Sequence, residues 1–327
     1  MSEHDQAVGV DVGGTKIAAL RIDRTGEVLA RDVRPTPAHD QAATLAAMAD
    51  AAEAVRTSEV AAVGVSAAGL VEWPAGVMRF APNLSWRDIA LVDEMRERLG
   101  LPVVADNDNN CAGWGEFRYG AAAGHRVAVF VGVGTGIGGG IILDGRLFRG
   151  AHGFAAEIGH IIVEPGGPQC GCGNRGCWEQ VASGHALARD GQEAVMRHPH
   201  SALVERSGGD PAKVTGAMVA EVALGGDTVA TGIVVEAAHR LGEGVAGLVN
   251  VLDPDIVVIG GGVSAAGDLV LEPARAAFSA AVEGAGHRPE VPLVLATLGN
   301  DAGATGAAAL AFDLLDGELD ARPGVRP

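Results

Sequence analysis

The side chains best able to do chemistry crowd into residues 157–179. His160, Cys170, Cys172 and Cys177 are four soft or borderline metal ligands, and the three cysteines lie in the run CGCGNRGCWE at 170–179. An isolated cysteine here would be an inert buried thiol. Three thiols and an imidazole, with glycines at 171, 173 and 176 to let the backbone fold around one ion, point instead to a tetrahedral Cys3His zinc site. Such a site has no open position, so its zinc is structural rather than a Lewis acid. Glu157 and Glu179 flank the ligands, and the metal loop would place them. Cys111, the fourth cysteine, reads as a small packing residue in a helix.

A second polar cluster, DNDNN at Asp106–Asn110, follows the apolar run PVVA and precedes CAGWGEF. Polar residues at the carboxyl end of a buried strand stand where α/β enzymes place chemistry. One of them caps the following helix, but a cap uses only one or two side chains. Asp108 is the candidate general base, with Asn107 beside it to fix a substrate.

Two glycine turns complete the set. AVGVDVGGTKIAALRID reads as strand, glycine turn, strand, and the design recurs from Arg126 in VAVFVGV, GTGIGGG and IILDG. GTGIGG satisfies the dinucleotide-binding expression but leads into a strand rather than a helix, which excludes that fold. GxxxxGK[ST] is absent, so DVGGTK is not a Walker loop. Glycine hairpins still bind phosphate, because the bare backbone approaches closely and successive N–H groups form an anion nest. The pair faces one triphosphate in this reading.

The elements that must hold these groups form an α/β chain of two related halves. Strands are expected at 8–12, 16–22 and 27–33, then at 60–66, 102–106, 255–259 and 291–299. Helices are expected at 42–55, 89–99, 183–197, 215–224, 228–251, 269–281 and 302–315. The stretches 198–201 and 207–213 read as surface loop, with His198 and His200 solvated. GGGVS, after the 255–259 strand, could admit a base or ribose at the sheet edge. The tail at 317–327 reads as disordered.

Composition bounds the partners. A chain of 327 residues with 48% hydrophobic content can bury a sizeable core, and its formal net charge of −17 disfavours nucleic acid and anionic membranes. Val127–Leu143 is uncharged and nearly long enough to span a bilayer, but its six glycines argue against a helix. The first residues lack a basic start and apolar core, so no signal peptide is expected. With four cysteines, three of them clustered, the chain suits a reducing cytoplasm.

Taken together, DVGGTK, PNLSW at 82–86, NDNN at 107–110, VGTGIGGG at 133–140, EIGH at 157–160 and CGCGNRGCWE resemble the ROK sugar kinases, and within them the bacterial glucokinases. The resemblance covers nearly the whole chain. It implies an actin-like, hexokinase-like ATPase fold with an interdomain cleft: a small lobe at 1–120 joined by the helix at 301–316, and a large lobe at 121–300. Sugar and ATP would meet in that cleft. Asp108 matches the family's base, which takes the proton of the sugar 6-hydroxyl. Asn83, Asn107, Glu157, His160 and Glu179 match its sugar contacts, with Gly69 on a nearby loop. Asp11, Gly13, Gly14, Thr15, Lys16 and Thr135 match the phosphate hairpins, and Gly261 and Gly262 the adenosine side. Mg²⁺ accompanies ATP, and the zinc-bound histidine offers its other ring nitrogen to the sugar. Relatives suggest a homodimer or homotetramer.

One departure is Asn109, where members usually carry alanine; it adds a polar contact or strengthens the cap. Glucose is the expected substrate, ahead of N-acetylmannosamine, N-acetylglucosamine, fructose or allose, and polyphosphate is the alternative donor. The family also contains sugar-responsive repressors, but only ten residues precede Asp11 and no basic reading helix is found. Retention of Asp108 and both hairpins speaks against a noncatalytic sugar binder.

Overall fold

The computed structural model describes residues 5–81 and 83–319, with these elements in chain order. Three strands, β1 (Gln6–Val12), β2 (Lys16–Asp23) and β3 (Val28–Pro35), lead to α1 (Gln41–Val55) and β4 (Val60–Ala67). Short strands β5 (Leu70–Glu72), β6 (Val77–Ala81) and β7 (Trp86–Ile89) precede α2 (Leu91–Leu99), β8 (Val103–Asn107) and α3 (Asp108–Tyr119). Next come β9 (Ala128–Val133), β10 (Ile137–Leu143) and β11 (Arg146–Leu147), then α4 (Glu179–Ala182), α5 (Gly184–Arg197), α6 (Ala202–Ser207), α7 (Gly216–Leu224) and α8 (Thr228–Leu252). The last elements are β12 (Ile256–Gly260), α9 (Asp268–Ala281), β13 (Leu293–Leu295) and α10 (Ala302–Asp316).

The described parts of 1–124, 140–156 and 297–327 form one compact unit, and 125–139 with 157–296 form another. The first therefore includes 140–156, which the sequence-based division leaves in the second lobe. One sheet runs β3-β2-β1-β4-β8 and another β11-β10-β9-β12-β13. β1, β2 and β3 pair antiparallel, while β4 lies parallel to both β1 and β8. β12 lies parallel to β9 and β13. Parallel central strands are buried on both faces, which is why VAAVGVSA in β4 is almost continuously apolar.

Glycines let α10 lie against the first sheet. A β-carbon at Gly9 would fall 1.8 Å from the Ala304 carbonyl oxygen, and one at Gly64 would fall 1.7 Å from that of Ala307. Both neighbours are backbone and cannot swing aside. Gly64→Ala is therefore expected to lower unfolding stability by about 3 kcal/mol through overpacking, read as a reduced urea midpoint at unchanged slope. Buried Glu116 on α3 accepts from the backbone N–H groups of Ala121, Thr297 and Leu298, chain segments that flank the second unit in sequence.

In the second unit, α8 and α9 also approach through a glycine, since a β-carbon at Gly242 would lie 2.1 Å from the Ala274 oxygen. Asp227 caps α8 by accepting from Ala230 N, and Ser183 caps α5 by accepting from His185 N.

Several elements differ from expectation. The helix expected at 89–99 begins at Leu91, because Ile89 ends β7, and the antiparallel sheet β5-β6-β7 was not anticipated. Its strands are three to five residues long, too short for periodicity to register. The nine-residue strand expected at 291–299 keeps only Leu293–Leu295, paired on one side to β12; beyond it Gly299 turns at φ 56°. Between the stretches read as loop lies α6, capped by Ser201, and a further 3-10 turn spans Pro211–Lys213. His198 and His200 are exposed as expected. Val127–Leu143 is the β9–β10 hairpin, and among the described residues no single helix is long and apolar enough to cross a membrane. Gly317 ends α10 in the left-handed conformation; residues 320–327 of the expected tail and Pro82 of PNLSW lie outside the described residues.

Candidate active site

In the first unit the glycine turn, the Asn83 segment and the start of α3 converge. Gly13 N–H donates to the Lys16 carbonyl at 3.0 Å and closes the β1–β2 turn. The Thr36 hydroxyl donates to the Gly13 carbonyl at 2.7 Å, and Thr36 N–H to the Thr15 carbonyl at 3.1 Å, so the turn is held from outside. A β-carbon at Gly14 would come within 3.0 Å of Asn83 Cβ, which places Asn83 against the phosphate turn.

Asp11, next to last in β1, lies beside this turn and accepts from the Ser66 hydroxyl at 2.5 Å. Burial pushes its carboxyl up to about 6; the Ser66 hydrogen bond opposes the rise, the Asp108 charge adds to it and Lys16 lowers it. Ser66 carried no motif in the sequence. Its only signal was a hydroxyl at the end of an apolar strand.

Asn107 and Asp108 occupy the junction of β8 and α3. The Asn107 Oδ1 accepts from Asn109 N at 2.8 Å and from Asn110 N at 3.2 Å, capping α3, while its Nδ2 donates to the Gly69 carbonyl at 3.0 Å. Gly69 sits at φ 143°, where a β-carbon would lie 2.2 Å from the Phe80 oxygen, so glycine is required. Behind the junction the buried pair Arg149–Asp106, Nε to Oδ2 at 2.5 Å, and the Asn110 Nδ2 bond to Asp106 Oδ1 fix the strand end. Arg149 also lies over the Trp73 ring at 3.8 Å. Arg149 was missed from sequence, because its partner is 43 residues away.

The Asp108 carboxyl is half-buried and projects from the first turn of α3. Loss of solvent raises its pKa, opposed by hydrogen bonds from the backbone and side chain of Asn109, its own backbone N–H and the Asn107 side chain. Asn109 Nδ2 reaches Asp108 Oδ1 at 3.1 Å. Of the two roles left open for Asn109, the side chain takes the polar contact; the cap belongs to Asn107.

In the second unit the other glycine turn meets the cysteine loop. The Thr135 carbonyl accepts from the Ser183 hydroxyl and from His185 N, both at 2.9 Å, and the Gly134 carbonyl accepts from Gly184 N. A β-carbon at Gly136 would lie 2.3 Å from Glu179 Oε2, so this turn abuts the carboxylate directly. A β-carbon at Gly159 would likewise lie 2.0 Å from the Ile137 carbonyl oxygen, so the short turn carrying His160 is set against β10. At the end of β12, Gly261 turns at φ 82° close to Val133, and Gly262 opens a 3-10 turn; both are exposed.

His160, Cys170, Cys172 and Cys177 each offer one atom within 4.8 Å of the others. Cys172 Sγ and Cys177 Sγ are 3.6 Å apart, and Cys170 Sγ is 3.7 Å from His160 Nδ1. A tetrahedron with zinc–sulfur bonds of about 2.3 Å has edges of about 3.8 Å, so the donor set fits zinc. No disulfide competes, since all four cysteines are free thiols. Of the three loop glycines, Gly173 and Gly176 have positive φ, and at Gly176 a β-carbon would strike the Glu164 oxygen at 1.7 Å; Gly171 needs neither exemption. Antiparallel bridges Ile162–Cys177 and Gln169–Arg175 tie the loop into a ribbon, and the Trp178 indole N–H donates to the Arg240 carbonyl at 2.9 Å. With Nδ1 toward the thiols, His160 Nε2 lies 3.9 Å from Glu157 Oε2, and Glu179 Oε1 lies 3.0 Å from Cys170 Sγ.

The ROK family profile matches residues 7–313. The chain belongs to the ROK family. Among its ROK relatives, the glucokinase of Streptomyces coelicolor is 43% identical over 307 residues, covering 93% of this chain and 96% of that one. The glucokinase of Halalkalibacterium halodurans is 39% identical over 315 residues, covering 91% and 92%. The solved ROK glucokinase from Streptomyces griseus, in complex with glucose and AMPPNP, superposes with a TM-score of 0.86 at 42% identity over 94% of this chain and 99% of that one. The architecture is thus the ROK actin-like, hexokinase-like α/β fold with mixed sheets, and the Cys3His cluster suits the structural zinc expected of it.

Proposed function

We propose that this chain is an ATP-dependent glucokinase that transfers the γ-phosphoryl group of Mg-ATP to the 6-hydroxyl of D-glucose. The observation that carries the reading is Asp108: a half-buried carboxylate at a helix start, in the same unit as the Asp11 glycine turn. Asp108 accepts the 6-hydroxyl proton as O6 bonds to the γ-phosphorus; the bond from phosphorus to the β–γ bridging oxygen breaks, and ADP leaves with that electron pair. Phosphoryl transfer asks mostly for positioning and charge neutralisation. Gly13, Gly14, Thr15, Lys16 and Thr135 are assigned to the phosphates, with Asp11 beside them, and Gly261 and Gly262 to the adenosine. Mg²⁺ enters with ATP.

Asn83, Asn107, Glu157, His160, Glu179 and the Gly69 loop are assigned to the sugar. The Asn107 amide donates to the Gly69 carbonyl and also bonds the Asp108 carboxyl, which sets the base beside the sugar loop. Zinc bound by His160, Cys170, Cys172 and Cys177 would contribute fixed geometry, holding the imidazole so that Nε2 faces substrate. We further assign the protein to the cytoplasm and to a homodimer or homotetramer. Free thiols and use of ATP support the compartment.

A sugar panel with Mg-ATP tests the substrate. Glucose is expected to give a kcat/KM at least about tenfold above N-acetylmannosamine, N-acetylglucosamine, fructose and allose, equivalent to about 1.4 kcal/mol of discrimination. Turnover of an N-acetylhexosamine without turnover of glucose would overturn the assignment. Substituting polyphosphate for ATP in the same assay tests the donor, and no phosphorylation is expected.

A further inference from the structure

We propose that Asn109 is a positioning residue for Asp108, its side-chain amide holding one carboxylate oxygen so that the other is presented to the substrate hydroxyl. The inference rests on Asp108 being the base. Asn109 is well placed for the task because its backbone is fixed: its N–H donates to the Asn107 cap, and its carbonyl packs on Gly140, where a β-carbon would lie 2.7 Å away. From that locked position Nδ2 reaches Asp108 Oδ1 at 3.1 Å. An amide donor favours the ionised carboxylate and restricts its rotation.

The surrounding charge makes that donor consequential. In the same unit the Asp108 charge raises the cost of ionising Asp11 on β1, Lys16 on β2 opposes that rise, and Asp106 on β8 is already paired with Arg149. Burial pushes the Asp108 carboxyl upward, and the backbone and side-chain hydrogen bonds from Asn109 are the main forces opposing it. A base must be ionised before it can take a proton, so removing the side-chain donor moves the acid limb of activity to higher pH.

The test compares Asn109→Ala and Asn109→Asp with the unaltered protein in pH profiles of kcat/KM for glucose. Asn109→Asp keeps the size and the backbone cap but replaces a donor by an acceptor. The acid limb is expected to move up by about half a pH unit in Asn109→Ala, and further in Asn109→Asp, with melting temperature and the glucose dissociation constant held within error. Acid limbs that coincide with the unaltered protein in both variants would overturn the proposal, as would Asn109→Asp behaving like the unaltered protein. The underlying reading is separable: substantial turnover by Asp108→Asn removes the base itself, whereas an inactive Asp108→Asn with unmoved Asn109 profiles removes only the role of Asn109.

Discussion

Asp108→Asn is expected to cut phosphorylation of glucose by about 10² to 10⁴-fold, the span of general-base catalysis, while glucose still binds within about threefold of the unaltered affinity. The amide is nearly isosteric and can still accept the bond from Asn109, so the start of α3 and the Asn107 cap persist. What it cannot do is take the 6-hydroxyl proton. The loss should therefore fall on kcat rather than on binding, which calorimetric titration of glucose into the variant checks alongside its turnover. A variant retaining more than about a tenth of the rate would remove Asp108 as the base.

Loss of the metal should act in a different pattern. Cys172→Ser, or prolonged chelation, is expected to lower the melting temperature and to raise the glucose dissociation constant at least about tenfold, as disruption of metal-site support does elsewhere. Cys172 is the exposed thiol of the set, so its hydroxyl replacement leaves no buried void, and any effect reports on ligation rather than packing. The ribbon at 161–178 has few apolar anchors besides Cys170, Cys177 and Trp178, and exposed Ile161, Ile162 and Val163 give it no core of its own. Without the ion, His160 and Glu179 lose a fixed relation to each other. Elemental analysis should find one zinc per active chain; fully active protein without zinc would contradict the role given to the cysteines.

The chemistry of this chain is unevenly legible in its sequence. The cysteine loop could be read because its ligands are close in sequence and rare in type, so spacing alone limits their meaning. The glycine turns could be read because each is bracketed by buried strands of simple pattern. Support for the base was harder: the Ser66 to Asp11 and Arg149 to Asp106 contacts join residues 55 and 43 apart, and nothing local marks either pair. The sheet β5-β6-β7 escaped for a different reason. Strands of three to five residues are held by their partners, not by a pattern of their own. Asn109 lay between: its chemistry was visible, but the choice between cap and carboxylate depended on a rotamer, and the structure turns it to Asp108.

The central claim is that the chain moves phosphate from ATP to the 6-oxygen of glucose. A phosphorus–proton correlation spectrum of the product formed from glucose and Mg-ATP tests it most directly, since it reads both transfer and position. The account predicts a single phosphomonoester coupled to the two C6 protons, formed with equimolar ADP. Phosphorus on another carbon, or ATP hydrolysis that leaves glucose unmodified, would contradict it.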